Sequence, residues 1–192
     1  MEKFKRWLLN TFFKNELIKI YKDYSDEVKK IEYEANKKNG DFETIHRILL
    51  EKNHSIVGEA DNKEGEHVFV VQHVYGKSID FMLYSNKYKT ISNHPRIMAT
   101  YVNIYNEDSY VRIDDIIVEE NNVGNGSILM PYFIDYCKRF TDAKKITGWL
   151  SPVDSGHFSR STHFYKKHGF EVSLNFKGIS GSVEYKLRDE NT

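Results

Sequence analysis

Ile116, Ile117 and Val118 form a β-branched apolar run, and a few residues later the apolar spacing changes period across two glycines, Gly124 and Gly126. Beyond them Ile128, Leu129, Tyr132, Phe133, Tyr136 and Phe140 recur at steps of three and four. The first pattern is that of a strand and the second that of a helix. Asn125-Gly126 is a strong hairpin signal, but a hairpin needs two-residue alternation to resume after the turn, and here it does not. The segment therefore reads as strand, glycine loop, helix.

That order predicts an anion-binding arrangement. The first backbone N–H groups of a helix lack intrahelical partners, and the helix dipole adds about half a positive charge there. Glycines permit positive φ and a close approach of the main chain to phosphate oxygens. The stretch lacks the Gly-Lys-Ser/Thr ending of a nucleotide-triphosphate loop and the third glycine of a dinucleotide fingerprint.

Upstream, Phe13, Leu17, Ile20, Tyr21, Tyr24, Val28 and Ile31 share one face of a long amphipathic helix, which Asn39-Gly40 is expected to end. Asp41 then caps a second helix carrying Phe42, Ile45, Ile48 and Leu49. From His54 the texture turns to short Val-, Ile-, Tyr- and Phe-rich runs (HVFVVQHV, SIDFMLYS, RIMATYVNIY, YVRIDDIIV), read as successive antiparallel strands. Helix and strand alternate after Gly126: a helix to Phe140, the strand KKITGWLS, a helix to His168, then FEVSLNF and SVEYKLR. The fold class is α+β, a mixed and mostly antiparallel twisted sheet flanked by helices. Residues 1–53 are a helical extension, packed on the domain or a partner, and 54–192 the sheet domain.

With 28 basic and 28 acidic residues, the chain has no global field that favours nucleic acid. No run approaches the roughly 20 apolar residues of a membrane span. The basic, aromatic N-terminus also admits a membrane-surface reading over residues 1–20. One cysteine, Cys137, excludes an intramolecular disulfide, and a cytoplasmic location is expected. Cys137 lies beside the helix's apolar stripe and reads as a buried thiol. The eight histidines show no ligand spacing, so no metal site is expected.

The segment STHFYKKHGFEV, 161–172, adds a second motif: Phe164-Tyr165 late on a helix, Gly169 at its end and Phe170 opening a strand. Together with Asn121-Asn122-Val123-Gly124-Asn125-Gly126, this resembles the GNAT superfamily of N-acetyltransferases, over about residues 105–190. The resemblance implies acetyl-coenzyme A as cosubstrate. Its pyrophosphate would lie on the amides of Asn122, Val123, Gly124, Asn125, Gly126 and Ser127, and its pantetheine along Ile116, Ile117 and Val118. It implies a primary amine, on a small molecule or a protein, as acceptor, and leaves a homodimer open. Asn121 stands where the family has Arg or Gln, Phe158 where an Asn often contacts the cofactor, and Ser161 where it has a small Ala. Pro131 inside the helix frees the Ser127 carbonyl and predicts a kink.

By its place in the motif, Tyr165 resembles the family's thiolate-facing tyrosine; a phenol of pKa about 10 can donate to a leaving thiolate while neutral. The alternative is an ordinary core aromatic beside Phe164. Strand alternation puts Tyr110, Arg112, Asp114 and Ile116 on one face and Asp115 and Ile117 on the other. The family often carries an acid on the first face, which nominates Asp114 as general base; the alternative is an ion pair with Arg112. Glu119 and Glu120 read as loop charges. Against the enzyme stands a catalytically silent domain of the same fold, serving as an acyl-coenzyme A sensor or interaction module.

Overall fold

The computed structural model describes residues 2–5, 7, 13–90, 93–103, 109–118, 120 and 122–188; Asn121 and Glu119 lie outside the described residues. Contacts divide the chain into two units, Met1–Glu43 and Thr44–Thr192. A single helix, α1 (Lys14–Leu50), replaces the two expected helices. Gly40 lies inside it, and Asp41 is a mid-helix residue and caps nothing. One interior glycine costs about 1 kcal/mol relative to alanine. That is less than the burial of Ile48 alone contributes, at about 1.5–3 kcal/mol for such a side chain. In the first unit, Phe13, Ile20, Tyr21, Tyr24 and Ile31 of the predicted stripe are exposed.

The second unit is built on one eight-stranded sheet in the order β1-β2-β3-β4-β5-β6-β8-β7. Its strands are β1 (His54–Asp61), β2 (His67–Tyr75), β3 (Ser78–Tyr84), β4 (Arg96–Val102), β5 (Tyr110–Ile117), β6 (Lys145–Leu150), β7 (Glu171–Leu174) and β8 (Gly181–Lys186). The first five pair as antiparallel neighbours, as their short connections require. Helix α2 (Asn125–Phe140) crosses from β5 to β6 and makes that pair parallel. A 3-10 turn (Pro152–His157) leads into α3 (Phe158–Lys167), which ends at the β7–β8 hairpin.

The two faces of the sheet are covered differently. Val68, Val70, Phe81, Leu83, Ile97, Val111, Ile113 and Ile146 join Leu129, Met130 and Phe133 of α2 and Phe158 and Tyr165 of α3 in the main core. On the other face, Ile45 and Ile48 at the end of α1 pack with Phe69, Val71, Met82 and Tyr84. Alternation along β2 and β3 thus feeds two cores, which is why HVFVVQHV is apolar nearly throughout. Cys137 is buried in the main core, and burial pushes its thiol up to about 12, as expected of a structural cysteine.

Candidate functional site

The parallel pairing of β5 with β6 covers only Tyr110 to Ile113 against Lys145 to Gly148. Beyond it β5 continues to Ile117 on β4 alone, and β6 to Leu150 on β8 alone. The two strands part, and among the described residues the edge of β5 that faces β6 has no strand partner there. An unpaired edge offers backbone donors and acceptors to an extended, amide-bearing ligand.

At this opening β5 carries a bulge. Ile113 pairs with Ala99 and Asp115 with Met98, so Asp114 is the extra residue. The bulge corrects the expected alternation: Asp114 and Ile116 do not share a face. Ile116 lies opposite Ile97 and packs against the main core, while Asp114 turns to Arg112 and Thr100. Asp114 Oδ1 accepts from Arg112 Nε at 2.8 Å and Oδ2 from Thr100 Oγ1 at 2.5 Å. Both its oxygens are engaged, as the ion-pair alternative requires. Asp115, one residue on, is exposed, and its side chain makes no hydrogen bond or ion pair among the described residues.

Tyr165 is 8% exposed, its ring edge-on to Phe164 at 5.4 Å and to Phe170 at 5.3 Å. Burial pushes its pKa up, and the negative charge of Asp115 adds to the effect. The phenol is therefore held protonated, close enough to Asp115 to feel its field. Phe158 is buried in the main core, so what it offers the opening is packing.

The loop leading into α2 is rigidly braced. Asn122 and Gly124 adopt positive φ, 67° and 93°. Gly124 is the N-cap residue of α2, and no side chain caps the helix. No backbone N–H from Asn125 to Ser127 donates to another described residue. These are the orphan donors an anion needs. A Cβ on Gly124 would meet only the Lys63 side chain, at 3.4 Å, so the backbone conformation and not space calls for glycine. Gly126 differs. A Cβ there would lie 3.1 Å from Phe164 Cε2 and 3.9 Å from Val118 Cγ1, so this glycine lets α2 close on α3.

Three supports are invisible in the local sequence. Asn125, 2% exposed, donates to Tyr88 Oη at 2.7 Å and accepts from Asn62 Nδ2 at 3.3 Å. The Val123 carbonyl accepts from the Lys63 N–H at 2.9 Å, and Val123 itself is buried. Glu120 accepts from Lys87 Nζ at 2.6 Å and Tyr88 Oη at 3.3 Å, and is thus a structural anchor as well as a loop charge. The β1–β2 turn and the β3–β4 connection therefore clamp the loop from two sides. The Asn125 side chain is consumed by this bracing, leaving only its backbone to a ligand. Ser127 Oγ lies 3.3 Å from Lys167 Nζ and 3.4 Å from His168 Nε2.

No group of His, Cys, Asp and Glu that could hold a metal occurs among the described residues. Nor is any described helix long and apolar enough to cross a membrane.

An antiparallel run of five strands, a parallel pair bridged by a helix that starts on a glycine loop, and an opening between that pair define a GNAT-like fold. No family model matches the chain. The Bacillus subtilis (strain 168) protein YocC, itself uncharacterised, is 30% identical over 136 residues, which make up 71% of this chain and 79% of YocC. The chain belongs to the family that includes YocC. Similar solved structures include the GNAT domain of S. lividans PAT, 6% identical over 67% of this chain and 96% of that one, with a TM-score of 0.49. Arabidopsis thaliana NAA60 in complex with acetyl-CoA is 13% identical over 58% of this chain and 77% of that one, with a TM-score of 0.45.

Proposed function

We propose that residues 54–192 form an acyltransferase domain, with residues 1–53 a helical extension, that moves an acetyl group from acetyl-coenzyme A to a primary amine. The observation that carries this reading is the edge of β5 left unpaired beyond Ile113, followed in the chain by the uncapped N-terminus of α2. The fit to the cosubstrate follows from those two features. The free edge matches an amide-bearing pantetheine along Ile116 to Val118, and the orphan N–H groups with the positive-φ Gly124 match a pyrophosphate. A cytoplasmic location belongs to the reading and is supported by the lone, buried thiol.

Bound acetyl-coenzyme A would supply a thioester, and the chain's own residues handle the protons. A lysine-like acceptor amine, with pKa about 10.4, is neutral in roughly one molecule in 2,500 at pH 7, so its ammonium must be drawn in and deprotonated. Asp114, the carboxylate that the resemblance nominates, has both oxygens hydrogen-bonded, which leaves it to orient Arg112 and attract the cation. Asp115 is the carboxylate free to take or relay the proton. Tyr165, kept protonated by its burial, donates toward the sulfur as thiolate charge develops. An amine panel assayed for thiol release tests the transfer. Acetyl-coenzyme A binding with no turnover on any amine would favour the silent sensor, the reading that the engagement of Asp114 supports.

A further inference from the structure

Along α1, steps of four and three residues taken in turn from Leu17 meet an apolar residue each time as far as Phe42, except at Lys38. A repeat of 3.5 residues sustained over that length is the seam of a coiled coil, narrower than the face a helix lays on its own domain. The seam is open: Tyr21, Tyr24, Ile31 and Phe42 are 75, 66, 60 and 71% exposed. A continuous apolar surface of this kind marks an interaction site. Its borders narrow the choice of occupant. Glu27, Glu32, Glu34 and Asp41 hold the flanking positions of the repeat, and Lys22, Lys29 and Lys30 fall on the far side. An anionic membrane is disfavoured, because acids border the stripe and the acids of α1 equal its lysines and arginines.

The seam complements itself when two copies run in opposite directions. We infer that α1 pairs with α1 of a second copy as an antiparallel coiled coil, its two-fold axis between Lys29 and Lys30. Val28 then packs on the partner's Ile31 and Tyr24 on the partner's Ala35, a large side chain against a small one in each such layer. Lys38, the one charge in the seam, meets the partner's Tyr21, whose ring face suits an ammonium. Parallel pairing would instead set Lys38 against Lys38, Ala35 against Ala35 and Tyr24 against Tyr24. The area suffices. Tyr21, Tyr24 and Phe42 from both copies cover about 600–900 Å² if each ring loses about 100–150 Å². Val28, Ile31 and Ala35 carry the total past the roughly 1,000 Å² of a specific interface. On one border Glu27 nears the partner's Glu34, a repulsion that salt screens.

Sedimentation equilibrium of the full chain should show monomer and dimer in exchange, and the dimer should tighten as NaCl rises. Ile31→Lys puts an unpaired charge into the seam of each copy and should weaken the dimer at least about 100-fold. Ala35→Asp should do the same, and Lys22→Gln, on the far side, should leave the dimer intact. Ile31 and Ala35 are exposed in the single chain, so the melting of the sheet domain should not change. Nitroxides on Lys19→Cys and on Lys30→Cys read the direction, because Cys137 is buried and takes no label. With a rise of about 1.5 Å per residue, antiparallel pairing puts the two labels at 19 about 30 Å apart along the axis and those at 30 about 2 Å apart. Equal separations at the two positions, or a dimer loosened by salt, would overturn the antiparallel register. A chain that stays monomeric at about 100 μM, or a dimer that Ile31→Lys leaves intact, would overturn the pairing itself. So would binding to phosphatidylserine vesicles that Ile31→Lys abolishes, because lipid would then cover the seam.

Discussion

His94 offers a quantitative test of the β3–β4 connection that holds the loop before α2. It is 2% exposed, its Nδ1 has no hydrogen-bond partner among the described residues, and its ring stands 3.9 Å from that of Tyr84. Burial, followed by the charges of Arg47 and Arg96, pushes its pKa from 6.5 down to about 4. A depressed histidine pKa means that the unfolded chain binds the proton first. Stability is therefore complete above pH 6.5 and is lost as pH falls toward 4, below which the folded histidine protonates as well. At about 1.4 kcal/mol per tenfold, the gap is worth about 3 kcal/mol in total and about 2 kcal/mol at pH 5. Against a domain stability of about 5–15 kcal/mol this is large. Urea unfolding at pH 8, 6 and 5 should show it, and His94→Gln should remove about 2 kcal/mol of the pH 8 to pH 5 difference whatever its own stability. The comparison with the variant cancels the carboxylates and His168, which titrate in both proteins. Equal pH dependence in the two proteins, or a His94 pKa near 6.5 by NMR, would refute the buried, neutral assignment.

Asn125→Leu should destabilise the fold by about 1–3 kcal/mol in thermal or urea unfolding, because it leaves the buried polar groups of Asn62 and Tyr88 without their partner. Gly124→Ala should cost about 1–2 kcal/mol through its left-handed backbone and weaken acetyl-coenzyme A in calorimetry, whereas Gly126→Ala should act through Phe164 and lower the melting temperature. Tyr165→Phe should leave folding and acetyl-coenzyme A affinity nearly unchanged and lower kcat on the order of 10²-fold; a wild-type rate would make the tyrosine structural. Asp115→Asn should remove the acidic limb of the pH–rate profile, while Asp114→Asn should shift affinity for the amine more than that limb.

Local periodicity carried much of this structure into view. The switch from strand to helix across Gly124 and Gly126, the five antiparallel strands and the end of α3 at Gly169 all follow from patterns a few residues long. Where a feature depends on contacts distant in sequence, local patterns mislead. Asn39-Gly40 looked like a stop, yet α1 runs through it. Alternation along β5 assumes an unbroken ladder, so the bulge at Asp114 was not legible, nor was the regrouping of Asp114 with Thr100. The need for glycine at 126 is also set by Phe164, 38 residues on, against which a Cβ would lie at 3.1 Å. The Asn62–Asn125 brace joins residues 63 apart, and no spacing rule reaches that far.

Acetyl-coenzyme A binding is measured on the full chain, by thermal unfolding and by calorimetry. A ligand at 100 times its Kd stabilises the folded state by about 2.7 kcal/mol. For a domain of this size that raises Tm by about 5–10 °C. A saturable rise of that order with one-to-one calorimetric stoichiometry is expected, and it should be lost in Gly124→Val. Finding neither heat nor a Tm change at millimolar acetyl-coenzyme A would contradict the acyltransferase reading.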